Sequence, residues 1–92
     1  MITKFKLYEG INEGLPEIGD YAITIYDDQF KNQIGKIKKF INVGKNDSII
    51  IYRIEFTKPI KAHFDYILNE IEFFSKDIKD LEAIIASRKY NL

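Results

Sequence analysis

The chain has no cysteine and no tryptophan, one histidine and two prolines in 92 residues. Each shortage excludes something. Without cysteine there is no disulfide staple, no thiol nucleophile and no thiolate metal site. His63, flanked by Ala62 and Phe64, cannot supply the paired-histidine spacing of a zinc clip, and reads as a packed or surface residue rather than a general base. Serine is scarce, three in the chain: Ser48 sits beside a turn, Ser75 at a helix start and Ser87 near the C-terminus, and no histidine lies near any of them in sequence to activate a nucleophile. Gly10, Gly14 and Gly19 are too widely spaced to cradle a phosphate, and no helical pattern follows them. No metal and no cofactor is expected, and the chain reads as non-enzymatic.

Long apolar runs are missing too. The longest aliphatic run is Ile49-Ile50-Ile51, followed by Tyr52, against the roughly 18 residues of a membrane span. The opening "MITKFKLYEG" carries lysines but no apolar stretch long enough for a signal peptide. The expectation is a soluble, unsecreted, cytoplasmic protein with no membrane partner, which suits the absence of cysteine.

Net charge is also absent, with 14 basic and 14 acidic residues, but the balance is uneven along the chain. Residues 1–30 hold two lysines against six acids, net −4; residues 31–62 hold eight basic residues against two acids, net +6; residues 63–92 hold four against six, net −2. Two readings are open. Neighbouring strands neutralise each other across a sheet, or a basic face meets a polyanion.

What is present is β-forming and aromatic: 46% of residues are hydrophobic and 14% aromatic, enough for the core of one small domain. "DYAITIYD" predicts a strand over about 20–27, apolar on both faces and therefore interior to a sheet or barrel. Gly19 and Asp20 lead into it. Asp27 and Asp28 end it, and on a strand would point to opposite faces. A polar connection follows in which Phe30 and Ile34, four apart, are placed to pack together.

"GKIKKFINV" predicts a second strand over about 35–43 whose alternation slips. A bulge at Lys38-Lys39 would bring Ile37 and Phe40 to one side and help a short sheet curl. After the turn "VGKNDS", "SIIIYRIEF" predicts a strand over about 48–56. One of its faces carries Ile50, Tyr52, Ile54 and Phe56, the other Ile49, Ile51, Arg53 and Glu55.

Residues 57–74 fit two periods. The reading taken is a helical turn near 59–64, behind Thr57 and Pro59, and a strand near 69–74. From Ser75 or Asp77 as cap, Ile78, Leu81, Ile84 and Ile85 form the apolar stripe of a helix over about 77–89, closed by Arg88 and Lys89. Asp77 and Asp80 are then capping acids rather than a carboxylate site. "ITKFKLYE" alternates as a short edge strand.

The expected fold is mainly β (α+β): a small, partly open barrel of 4–5 strands with a C-terminal α-helix, in one domain. Its parts are an N-terminal segment over 1–19, the barrel over 20–74 and the helix over 75–92.

"IGDYAITI", "IGKIKKF" and "IIIYRIEF", over about residues 18–56, resemble the opening of Src-homology-3-like small barrels, including the KOW type of ribosomal and transcription proteins. That resemblance implies a small barrel and allows RNA binding. "KFKLYE" and "DLEAIIASRKYNL" resemble small uncharacterised proteins of tailed phages and viral metagenomes. This implies a small accessory viral protein of the host cytoplasm that binds a host or defence factor, for example one of a CRISPR system.

Three functions are therefore carried forward. The first is a protein-binding module that inhibits or modulates a host or defence factor, anchored by exposed members of Tyr8, Tyr26, Phe30, Arg53 and Tyr90. The second is a barrel binding RNA or single-stranded DNA through Lys36, Lys38, Lys39, Lys45 and Arg53. The third is a virion structural or assembly protein that self-associates on an exposed barrel edge. The chain is expected to be a monomer or a homodimer.

Overall fold

A computed structural model describes residues 10–89; the edge strand expected in "ITKFKLYE", Tyr8 and Tyr90 lie outside the described residues. Five strands follow one another: β1 (Tyr21–Thr24), β2 (Gly35–Val43), β3 (Ile49–Phe56), β4 (Ala62–Ile67) and β5 (Ile71–Ser75). The helix α1 (Ile78–Lys89) comes last.

The Gly-Asp pair ahead of β1 is a junction. Gly19 takes φ 95°, a conformation open to glycine. Its N–H donates to the Ile37 carbonyl at 2.8 Å, and the Ile37 N–H donates to the Asp20 carbonyl at 2.8 Å. The buried Asp20 carboxylate accepts the Glu17 N–H at 2.9 Å. The loop is thus tied to β2 before β1 begins. β1 is shorter than the 20–27 expected, because its pairing with β5 shifts register after Ile23 and the chain then leaves the sheet. Asp27 and Asp28 therefore fall in the following turn, not on a strand; the Asp28 Oδ1 accepts the Phe30 N–H at 2.8 Å.

β2 covers the expected residues, and its pairing with β3 shifts between Ile37 and Lys39, so Lys38 is the extra residue of a bulge. Ile37 and Phe40 consequently face the same side, opposite Ile54 and Tyr52. The hairpin turn holds Gly44 at φ 86° and Asn46 at φ 62°.

The helical turn expected near 59–64 does not form: residues 59–61 are irregular and the strand β4 starts at Ala62. β4 pairs with β3 without a break from Phe56↔Ala62 to Ile51↔Ile67, and Arg53 is bonded to Asp65 across the pair. The fourfold spacing of Ile60, Phe64 and Leu68 lost to a non-local demand: the open side of β3 needed a partner. β5 starts at Ile71 rather than 69, after a 3-10 turn over Leu68–Glu70.

The strand order is β4-β3-β2-β1-β5, every pair antiparallel. The two outermost strands, β4 and β5, are joined by that three-residue turn. The sheet must curl to bring its two edges so close. The result is the mainly β, partly open barrel with a C-terminal helix that the sequence leads one to expect. Its interior is filled by Ala22, Phe30, Ile37, Tyr52, Ile54, Phe56, Tyr66, Ile71 and Phe74.

The second core lies outside the barrel wall. Leu81 and Ile84 of α1 pack on Ile23 of β1, with Tyr21, Phe73 and Ile34 around them. β1 is apolar on both sides for this reason: Ala22 faces the barrel and Ile23 faces the helix. Phe30 and Ile34 do not pack together as expected; the first enters the barrel and the second lies under the helix. The helix start is capped as its acids suggest, with the Asp77 Oδ1 accepting the Lys79 N–H at 2.9 Å. Its other end is held by Arg88, paired with Glu72 at 2.6 Å and stacked 5.3 Å from the Phe73 ring centre. Among the described residues no helix is long and apolar enough to cross a membrane.

Candidate protein-binding surface

Among the described residues α1 packs chiefly on β1 and β5, and no other element lies on the outer face of β2, β3 and β4. Register sorts its side chains into rows across the three strands. Lys36, Glu55 and His63 form one row; Lys39, Arg53 and Asp65 form the next. Ile41, Ile51 and Ile67 form the third, and Val43 with Ile49 the last. The face thus passes from charged to apolar along the strands.

The charged rows are largely self-satisfied. Arg53 makes two bonds to Asp65, Nε to Oδ1 at 2.8 Å and Nη2 to Oδ2 at 3.2 Å. The hydrogen bond from Arg53 holds the Asp65 carboxyl below its usual range, and Asp65 in turn raises the guanidinium. Lys38 lies 3.8 Å from Glu55, and the Lys36 ammonium sits 5.7 Å from the Tyr21 ring centre.

The apolar rows are half-buried at Val43 and Ile51 and exposed elsewhere. Ile41 is 40% exposed, Ile67 41% and Ile49 47%. Leu68, 38% exposed, extends the patch into the 3-10 turn, where a shallow groove of 320 Å³ runs between Leu15, Ile49 and Leu68. Full burial of such a side chain is worth about 1.5–3 kcal/mol, so these four residues leave roughly 2.5–5 kcal/mol of apolar burial unrealised. A contiguous apolar patch rimmed by charge is the signature of a contact surface rather than of scattered surface residues.

The residues singled out from sequence do not form one cluster. Arg53 lies on this face but is committed to Asp65. Phe30 is 4% exposed and belongs to the barrel interior, so it is removed from the exposed anchors. Tyr26 is exposed at the opposite side of β4, its ring 6.0 Å from Tyr66 and its hydroxyl bonded to Glu70. Lys36, Lys38 and Lys39 line the start of β2, whereas Lys45 lies in the hairpin turn, roughly 20–30 Å further along. The aromatic residue Tyr52, on the neighbouring strand β3, is buried, and burial pushes its hydroxyl pKa up. Phe40, between Lys39 and Lys45 in β2, is 45% exposed and shares the side of Tyr52 rather than that of Lys39.

Sequence reading did place Ile49 and Ile51 on the charged side of β3, and two isoleucines on a polar face were the available signal. Completion of the row by Ile41 and Ile67 depended on the bulge and on the unforeseen strand β4. No protein-family model, curated protein or solved structure matches the chain.

Proposed function

We propose that the chain is a non-enzymatic protein-binding module whose contact surface is the outer face of β2, β3 and β4. The observation that carries the reading is the in-register row Ile41–Ile51–Ile67, exposed at Ile41 and Ile67 and half-buried at Ile51, on a sheet whose other outer half packs on α1. Such a row supplies the apolar centre of an interface, and the flanking Lys36, Lys39 and Arg53–Asp65 supply a polar rim that orients the partner. The resemblance of the chain ends to small phage proteins adds a host or defence factor as the partner.

The test is affinity capture from a bacterial host lysate with wild-type bait and with Ile41→Glu/Ile67→Glu bait. Both positions already face water, so the double variant is expected to fold and to lose the captured protein. Equal capture by the folded double variant would remove the reading.

A further inference from the structure

The sheet has two edges, and they are finished differently. The free side of β5 is closed by one residue. The Asn12 N–H donates to the Phe74 carbonyl at 2.9 Å, its side-chain Nδ2 donates to the Glu72 carbonyl at 3.1 Å, and its Oδ1 accepts the Phe74 N–H at 2.8 Å. β4, by contrast, is bonded to β3 alone among the described residues. Charged side chains, above all lysine, a proline or a bulge within the strand are usual protections of an edge. Ala-His-Phe-Asp-Tyr-Ile has no lysine and no proline, its ladder to β3 shows no register shift, and its one carboxylate, Asp65, is drawn back onto Arg53 of β3.

Alternation shows which backbone groups are open. The Ile67 N–H goes to the Glu70 Oε1 at 2.9 Å, not to β3. In an antiparallel strand alternate residues turn their N–H and C=O to the same neighbour. Those of Asp65 and His63 therefore point away from β3, to the open side.

We infer that β4 is a self-pairing edge, taken by a second copy of this chain that docks antiparallel with the two-fold axis at Phe64. In that register His63 of each copy exchanges both backbone hydrogen bonds with Asp65 of the other. On the outer face each imidazole stands opposite a carboxylate, twice over. On the inner face Ala62 stands opposite Tyr66, small against large, and the 43%-exposed Phe64 ring meets its own mate. Centring the axis on Asp65 would set two carboxylates directly opposite each other, which is destabilising, and centring it on His63 would set the imidazoles opposite each other with neither facing a carboxylate. An axis between residues would oppose an inward side chain to an outward one. The Phe64 register is the one that sets each His63 opposite an Asp65, and in it the edge is its own complement in polarity and in size. The inference is independent of the Ile41–Ile51–Ile67 row, which stays open on the outer face of each copy.

The absence of cysteine makes the register directly testable. Phe64 and its mate would be a non-hydrogen-bonded pair, with Cα atoms about 4.5 Å apart, inside the range a disulfide spans. Ala62 and its mate would be offset by four residues, roughly 14 Å apart. Phe64→Cys and Ala62→Cys are oxidised at equal concentration and run on a non-reducing gel, with circular dichroism to confirm the fold. The expected result is a covalent dimer for Phe64→Cys and monomer for Ala62→Cys. Adding His63→Pro removes an outward N–H while leaving the ladder to β3 intact, and should cut the cross-linking rate about tenfold, given two donors lost across the axis. Sedimentation equilibrium of the unmodified chain, with and without His63→Pro, reads the same edge without cysteine: concentration-dependent dimer for the wild type and monomer for the variant. Equal cross-linking at both positions, a natively folded Phe64→Cys that stays monomeric, or a wild type that is strictly monomeric would overturn the inference.

Discussion

Replacing Gly35 by alanine adds one methyl group where the barrel has no room for it. Gly35 opens β2 and is buried, and its φ is not in the left-handed region, so backbone conformation does not require glycine there. Space does. A Cβ at this position would lie 2.3 Å from the Ile54 Cγ2 and 3.0 and 3.1 Å from the Phe56 ring, against an optimum of about 3.5–4.0 Å for carbon pairs. Ile54 and Phe56 are fully buried, and a β-branched side chain is stiff at χ1, so neither can swing aside. Strands β2 and β3 must separate or Ile54 must leave its rotamer. Overpacking of this kind costs about 1–3 kcal/mol, and the 2.3 Å approach puts Gly35→Ala near the upper end. For a domain of this size that is a fall in Tm of roughly 10–20 °C. Gly14→Ala is the comparison: φ is 72° and nothing lies within 4 Å, so only conformational strain of about 1 kcal/mol is added. Thermal melts by circular dichroism separate the two. A Gly35→Ala protein melting within about 3 °C of wild type would mean that the space between β2 and β3 is not filled as described.

Leu81→Ala empties the centre of the contact between α1 and the β1–β5 pair, where Leu81 is 0% exposed, and should cost about 2–5 kcal/mol in urea unfolding. Deleting Lys38 removes the extra residue of the bulge yet leaves Ile37 and Phe40 facing inward, so a cooperative thermal transition should persist; deleting Ile41 instead slips Asn42 and Val43 to the wrong faces and should abolish it. Asp65→Asn removes the carboxylate that Arg53 holds. Because the folded carboxyl is depressed, its contribution is present above the unfolded pKa and lost as pH falls through the folded one. Wild type and variant should therefore differ slightly in stability at pH 7 and converge in strongly acid buffer, as read by urea titration.

The parts of the fold that announce themselves are those with local causes. The stripe of Ile78, Leu81, Ile84 and Ile85, with acids ahead of it and Arg88 and Lys89 behind, specifies α1 from within its own turns. The broken alternation at Lys38-Lys39 specifies the bulge, because only an extra residue puts Ile37 and Phe40 on one side. β4 had no such voice. Its apolar spacing suits a helix, and it became a strand because Tyr52 and Arg53 of β3 found Tyr66 and Asp65 opposite them. β1 is shorter than its composition suggests for a related reason: Ile25 and Tyr26 keep the composition of a strand, but a strand ends where its partners end. Phe30 offered no local sign that the loop would fold it into the barrel. The contact surface was half visible, since Ile49 and Ile51 stood out beside Arg53 and Glu55. The rest of the row is a product of register, which only the assembled sheet supplies.

The claim that a protein partner sits on the Ile41–Ile51–Ile67 row is tested most directly by cysteine footprinting of the complex. The chain has no cysteine, so Ile41→Cys, Ile67→Cys and Lys79→Cys each place one reporter, two on the row and one on the exposed side of α1. Maleimide labelling is followed for each with and without the captured partner. Shielding of positions 41 and 67, with position 79 labelled at an unchanged rate, is the result expected. Positions 41 and 67 that stay fully reactive in the complex, with position 79 shielded, would contradict it.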